Sequence, residues 1–109
     1  MMFAKYDETG YRELSPGIAK KTLVYGDKTL MAKFRLQKGH ELPEHSHPHE
    51  QTGTLVSGAI RFVVDGEPFS AQAGDSWCIP GDVPHSAEIL EDTIVLEVFS
   101  PCRRDYIED

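Results

Sequence analysis

The chain of 109 residues lacks a long hydrophobic run, a cluster of basic residues and a set of cysteines. No apolar stretch approaches the roughly 20 residues that cross a bilayer. The N-terminus turns polar too early for a signal peptide, so we expect a cytoplasmic protein with no membrane partner. The net charge of −7 argues against nucleic acid as a partner. The two cysteines, Cys78 and Cys102, are too few for a disulfide framework, and we expect free thiols.

A helical repeat of apolar residues is also missing. Seven prolines and nine glycines instead divide the chain into short pieces of strand length. In residues 30–36, Leu30, Ala32 and Phe34 share one face, which is the period of a half-buried strand. Such segments lie at 22–25, 30–36, 54–56, 60–64, 68–73, 76–79, 86–90 and 93–99. Strands at this close, even spacing predict an all-β sandwich or barrel.

The length allows one domain, since a typical domain has about 100–150 residues. Residues 1–17 are polar and irregular, and we expect them to form an N-terminal arm. Residues 18–109 are expected to form the barrel and a C-terminal tail. The tail from Arg103 onward is compatible with one turn of helix or with an extended segment. Because short strands leave sheet edges that need cover, we expect a homodimer.

Histidines are concentrated in one part of the chain, with four of the five between residues 40 and 49. If His45 and His47 lie on one strand, both imidazoles point the same way and can meet one metal ion. Gln51 shares this parity and offers an amide oxygen, whereas the opposite parity of Glu50 argues against it. The fifth histidine, His85, follows a rigid proline turn. If only His45 and His47 are considered, the alternative explanation is an exposed loop that binds metal adventitiously.

His40 and His49 lie beside Gly39 and Pro48, so we expect both to be solvated at turns.

The spacing of these residues resembles the two motifs of the cupin superfamily. The first motif is matched by Gly39, His45, His47, Gln51 and Gly58, although it has glutamate where Gln51 stands. The second motif is matched by Gly74, Pro80 and His85. Two positions depart from the motifs, since Asp82 replaces a glycine and Ile89 replaces an asparagine. The resemblance implies an all-β, single-domain jelly-roll barrel. It also implies one divalent transition metal, such as Zn, Ni, Mn or Fe, held by His45, His47, Gln51 and His85.

A closer resemblance covers nearly the whole chain and links it to the KdgF-type pectin-degradation cupins. It rests on residues 45–51, 80–85 and 99–106. It implies ring opening of 4,5-unsaturated uronates to their linear keto form at a metal site of three histidines and one glutamine. That family uses an aspartate, a phenylalanine and an arginine for substrate binding and catalysis. The matching positions here are Glu97, Phe99 and Arg103, with glutamate in place of the aspartate.

The chemistry of these residues is compatible with that function. Three neutral imidazoles and an amide leave a divalent ion its full charge, which suits Lewis-acid chemistry on an anionic small molecule better than stabilisation of higher-valent iron. Arg103 can hold a carboxylate, and Glu97 can carry a proton if its strand faces it into a cavity and not into solvent. The predicted function is a metal-assisted lyase or isomerase of a small carbohydrate acid. The alternatives are a cupin dioxygenase that uses Fe or Cu and a non-catalytic cupin that binds a small ligand.

Overall fold

The computed structural model describes residues 1–107, which form two antiparallel β-sheets and one short 3-10 helix at Arg104–Tyr106. The strands in chain order are β1 (Arg12–Ser15), β2 (Ile18–Tyr25), β3 (Leu30–Leu36), β4 (Glu41–His45), β5 (Glu50–Ser57), β6 (Ala59–Val64), β7 (Glu67–Gln72), β8 (Ser76–Ile79), β9 (His85–Ile89) and β10 (Thr93–Ser100). Six strands pair in the order β1-β2-β3-β10-β5-β8, and four pair in the order β4-β9-β6-β7. Within this part of the chain, no helix is long and apolar enough to cross a bilayer.

Strand β10 shows how the sequence pattern builds the core. Its burial alternates along all eight residues, so Thr93, Val95, Glu97 and Phe99 face inward between β3 and β5. The same alternation buries the apolar face of β3. The facing sheet contributes inward side chains from β6 and β9, such as Ile60. The predicted all-β fold is therefore confirmed, and the inward face of β10 carries one carboxylate into the core.

Several strand bounds differ from the sequence prediction. β4 is absent from the predicted set, and β5 starts at Glu50, four residues early. β1 lies inside residues 1–17 and pairs antiparallel with β2, so part of the expected arm belongs to the six-stranded sheet. The tail from Arg103 adopts the helical alternative that the sequence left open. Residues 108–109, which end the predicted barrel segment 18–109, lie outside the described residues.

A tight turn at Asp65 and Gly66 joins β6 to β7. Both residues have positive φ angles, 50° and 80°, as a type I′ hairpin turn requires. The turn sets the register in which Phe62 on β6 faces Phe69 on β7. Local turn chemistry thus fixes one edge of the four-stranded sheet.

Candidate active site

Three histidines converge at one end of the barrel. His45 ends β4, His85 begins β9, and the two are paired across these strands. His47 lies in the connection that leads to β5. The candidate ligand atoms of the three side chains all lie within 4.8 Å of one another. The expected convergence of His45 and His47 is found, but the assumption of one continuous strand is wrong, because β4 ends at His45 and a turn carries His47 to the cluster.

A hydrogen bond to a backbone carbonyl orients each of the three rings. The Nδ1 atoms of His45 and His47 donate to the carbonyls of Pro43 and His49, each at 3.0 Å. The Nδ1 of His85 donates to the carbonyl of Val83 at 2.9 Å. With the proton fixed on Nδ1, each neutral ring keeps a lone pair on Nε2 for a metal.

Backbone contacts bring together the two chain segments that carry the histidines. The N–H of Asp82 donates to the carbonyl of His47 at 2.7 Å. A Cβ at Gly81 would clash with the Pro48 carbonyl oxygen, so this approach needs glycine. Asp82 has a φ of 65°, in the left-handed region where the cupin motif has glycine and where aspartate is one of the tolerated residues.

Burial favours the neutral form of two of the imidazoles, those of His47 and His85. It lowers the pKa of His47 to about 4, and the positive charges of Arg103 and His85 add to this effect. The pKa of His85 is also lowered, mainly by burial. A neutral imidazole is the form that ligates a metal, so both rings are ready to bind at neutral pH.

Gln51 lies between the histidines and a buried carboxyl group. Its Oε1 is 2.9 Å from the Nε2 of His47, and its Nε2 donates to the Oε2 of Glu97 at 2.6 Å. Both ring nitrogens of His47 thus face an acceptor oxygen, although a neutral imidazole has only one N–H. Two ligands on a metal with bonds of about 2.1 Å lie about 3 Å apart at right angles. The spacing of Nε2 and Oε1 therefore suits two ligands of one ion.

His85 gives independent support for the fit to a metal. Its side chain is 2% exposed, and its Nε2 is buried without a hydrogen-bond partner. A buried polar atom without a partner is costly unless something absent from the protein satisfies it. The residues present fit a metal ion with three imidazole nitrogens and one amide oxygen.

Glu97 is buried beside this cluster. Its Oε2 accepts hydrogen bonds from the Nε2 of Gln51 at 2.6 Å and from the indole Nε1 of Trp77 at 3.2 Å. Burial raises the pKa of Glu97 to about 7, although the bonds from Trp77 and Gln51 and the charge of Arg103 act to lower it. A carboxyl group that titrates near neutral pH can both accept and return a proton.

The sequence analysis did not reveal the hydrogen bond between Trp77 and Glu97. In the sheet, Gly53 on β5 pairs with Trp77 on one side and with Glu97 on the other. A Cβ at Gly53 would lie 2.6 Å from the indole nitrogen, so the glycine leaves the space through which the indole reaches Glu97. Only the strand order could have revealed this contact.

Arg103 and Phe99 complete the site. The guanidinium carbon of Arg103 lies 5.0 Å from the centre of the Phe99 ring, and Phe99 itself is 1% exposed. The ring of His47 lies 5.8 Å from that of Phe99. Six of the seven predicted site residues line one cavity of about 70 Å³, namely His45, Gln51, His85, Glu97, Phe99 and Arg103. The cavity therefore brings together candidate metal ligands, a buried carboxyl group and a cationic group.

The other residues considered from sequence lie outside this cavity. Glu50 is exposed, in agreement with the parity argument. His40 and His49 are partly buried, so their rings are less exposed than the expected solvated turn positions. The ring of His40 packs against Gly17, and the Nδ1 of His49 is buried.

Two further sequence expectations concern the cysteines and a motif position. Cys78 is exposed, Cys102 is buried, and both are free thiols, as predicted. Ile89, which replaces the asparagine of the motif, is 2% exposed and belongs to the core.

Comparisons with known proteins agree with the fold. The pectin degradation protein KdgF of Dickeya dadantii is 29% identical over 103 residues, which cover 93% of this chain and 94% of that protein. The solved structure of KdgF from Halomonas sp. has a TM-score of 0.91 and 28% identity, with 98% of this chain and 99% of that chain covered. An RmlC-like cupin from Shewanella frigidimarina has a TM-score of 0.90 and 28% identity, with 98% and 97% covered.

The cupin domain family, Cupin_2, matches residues 32–100. This range runs from β3 to the end of β10 and includes the three clustered histidines, Gln51 and Glu97. The jelly-roll barrel implied by the sequence motifs is the fold observed. The chain therefore belongs to the cupin domain family.

Proposed function

We propose that this protein is a metal-dependent isomerase that opens the ring of 4,5-unsaturated uronates. The observation that carries the proposal is the presence of Glu97 and Arg103 in the cavity beside the three-histidine cluster. The relatives named as KdgF support it, since one of them is described as a pectin degradation protein. Pectin is a polymer of uronates, and its breakdown can leave unsaturated monomers of this class.

The metal would be held by His45, His47, His85 and Gln51. When bound, such an ion supplies a Lewis acid that polarises a hydroxyl or carbonyl oxygen of the substrate. All four ligands are neutral, so the ion keeps its charge and favours an anionic, oxygen-rich ligand. This donor set is less suited to the higher-valent iron of an oxygen-using enzyme.

The reaction balances as an isomerisation. A proton leaves the anomeric hydroxyl, the bond between C1 and the ring oxygen breaks to give an aldehyde at C1 and an enolate, and the enolate takes a proton at C4 to become a ketone. Glu97 can accept the first proton and deliver the second, because its pKa of about 7 lies near neutral pH. No oxidant, reductant or water molecule is consumed, so the residues of the cavity suffice for proton transfer.

Arg103 would hold the carboxylate of the substrate. A guanidinium group presents several N–H donors in one plane, which matches a carboxylate. The Arg103 side chain is 13% exposed, so an ion pair with a ligand would form in a partly desolvated place. Phe99 lies under the guanidinium and can contact the sugar ring.

Turnover of an unsaturated uronate by the metal-loaded protein tests this proposal. The conjugated C4=C5 double bond absorbs in the ultraviolet, and ring opening removes that absorbance. We expect turnover by the wild type and a loss of more than about 100-fold for Glu97→Gln, the size of a general acid–base contribution. Substrate binding should be retained, since the substitution keeps the shape of the side chain. His40→Ala, which lies outside the cluster, is the matched control.

Two other results would replace this assignment. Binding of the uronate without any turnover by the wild type would indicate a ligand-binding cupin. Oxygen consumption with an aromatic or other substrate, together with no uronate turnover, would indicate a dioxygenase.

We also propose that the protein is a cytoplasmic homodimer that pairs through the outer face of the six-stranded sheet. Met31 and Val56 on this face are 37% and 51% exposed, and Tyr6 of the N-terminal segment lines the same surface groove. Burial of this apolar surface would stabilise a dimer. Sedimentation equilibrium should show a dimer for the wild type and a monomer for Val56→Lys. A monomeric wild type at micromolar concentration would contradict the proposal.

A further inference from the structure

The guanidinium group of Arg103 lies between two aromatic rings. Its carbon is 3.9 Å from the centre of the Tyr106 ring and 5.0 Å from the centre of the Phe99 ring. The Nε of Arg103 also donates to both carboxylate oxygens of Asp105 at 3.3 Å. A long, flexible side chain is thus held in one place before any ligand arrives.

Tyr106 is itself held from the opposite end of the chain. Its carbonyl oxygen accepts hydrogen bonds from the Oγ1 of Thr22 at 2.6 Å and from the Nζ of Lys20 at 3.1 Å. Both donors lie on β2, which is more than 80 residues away in sequence. The Nζ of Lys20 is also 4.3 Å from the centre of the Tyr106 ring.

Lys20 is only 1% exposed, which is unusual for a lysine side chain. Burial of an ammonium group is costly, and its polar contacts must offset that cost. Its hydrogen bonds to Thr22 and to the Tyr106 carbonyl help to offset that cost, and they connect the 3-10 helix to the six-stranded sheet. The position of the helix is therefore coupled to the core of the barrel.

We propose that Tyr106 is a positioning residue that presents the guanidinium of Arg103 to the substrate carboxylate, and that Thr22 and Lys20 fix Tyr106 for this role. The inference rests on the proposed function, in which Arg103 anchors a carboxylate. Tyr106 packs against the Phe99 ring at 5.4 Å and lines the same cavity. Arg103 lines this cavity together with His85 and Glu97, which places the guanidinium near the proposed reacting groups.

The physical reason is preorganisation. An arginine side chain loses rotamer entropy when it binds a ligand, and an aromatic ring that already holds the guanidinium removes much of that cost from the binding step. Removal of the ring should therefore weaken carboxylate binding while the metal ligands stay in place. A typical cation–π contact corresponds to roughly 3- to 30-fold in affinity.

The experiment measures binding of galacturonate, a stable saturated uronate, to the metal-loaded full chain by isothermal titration calorimetry. Tyr106→Leu should weaken binding roughly 3- to 30-fold, and Tyr106→Phe should weaken it by a smaller factor because the ring is retained. Thr22→Val removes the hydroxyl that holds Tyr106 and should weaken binding by a smaller factor, whereas Thr22→Ser should not. The affinity for the metal alone should be the same in all four variants.

Arg103→Ala separates failure of this inference from failure of the proposed function. If the wild type does not bind galacturonate, or Arg103→Ala binds it as well as the wild type, the carboxylate anchor of the proposed function is wrong. If Arg103→Ala weakens binding but Tyr106→Leu and Thr22→Val only lower the unfolding temperature, Tyr106 has a structural role and the inference is wrong. If Tyr106→Leu does not fold, the comparison of Thr22→Val with Thr22→Ser decides the outcome in the same way.

Discussion

Substitution of Gly53 by alanine tests whether the Trp77 indole is held against Glu97 as the structure shows. The new Cβ would lie 2.6 Å from Nε1, 2.8 Å from Cε2 and 2.9 Å from Cζ2 of the indole. The indole is rigid and packs edge-on against Phe62, with the ring centres 4.8 Å apart. The ring must therefore move, and its hydrogen bond to the buried carboxyl group of Glu97 must lengthen or break.

The expected cost of Gly53→Ala follows from these contacts. Overpacking in a core typically costs about 1–3 kcal/mol, and loss of a hydrogen bond to a buried polar group costs about 1–3 kcal/mol. The substitution also raises the free energy of unfolding by about 0.5–1 kcal/mol, because glycine loses more backbone entropy on folding than alanine does. We expect the free energy of unfolding to fall by roughly 1–5.5 kcal/mol.

A double-mutant cycle isolates the contact. In a Trp77→Ala background the new methyl group meets no indole, so Gly53→Ala should be neutral or stabilise the fold by about 0.5–1 kcal/mol. Urea unfolding followed by circular dichroism measures all four proteins. Fluorescence of Gly53→Ala should also shift, since Trp77 is the single tryptophan of the chain. If Gly53→Ala costs the same with and without Trp77, the indole is not where the structure places it.

Three further predictions concern protonation, the backbone and the metal. The pKa of Glu97 is raised from 4.5 to about 7, so the protonated carboxyl group stabilises the folded metal-free protein. Relative to Glu97→Gln, the free energy of unfolding of the wild type should be highest below pH 4.5. It should fall by on the order of 3 kcal/mol as the pH rises through 7. Titration of His47 occurs in both proteins and cancels, so a difference between the two urea-unfolding energies that is constant from pH 4.5 to pH 8 would contradict this. Asp82→Gly should raise the free energy of unfolding by about 1 kcal/mol, because residue 82 has a φ of 65°, whereas Asp82→Ala should not raise it. His85→Ala should weaken Zn²⁺ or Ni²⁺ binding at least about 100-fold in calorimetry, whereas the control His40→Ala should have little effect. Equal metal affinities in the two variants would exclude His85 as a ligand.

The strands were predictable because their signals are local. The alternation of apolar and polar residues in β3 depends on only a few neighbouring residues, and so does the Asp65-Gly66 turn. β4 was missed because Pro43 and two glutamates in its five residues hide the pattern, and it lies at the edge of its sheet, where such residues are tolerated.

The candidate ligands were found from spacing, although one step of that reasoning was wrong. His45 and His47 meet through a turn and not through strand parity. The resemblance to the cupin motifs named three histidines that converge in the structure, because the motif spacing reflects the positions that the fold brings together. The hydrogen bonds that fix each ring through Nδ1 use carbonyl groups, which carry no signature in the sequence.

The sequence by itself determined the strand content, the histidines and the charge character of the protein, since these depend on composition and on short-range periodicity. The tertiary structure alone decided that Glu97 faces inward, that Trp77 reaches it over Gly53, and that β2 holds Tyr106. These contacts join residues that are distant in sequence, and they exist only after strand order and register have been set by burial of the whole core. The raised pKa of Glu97 has the same origin, because desolvation is a property of the assembled barrel and not of any segment of the chain.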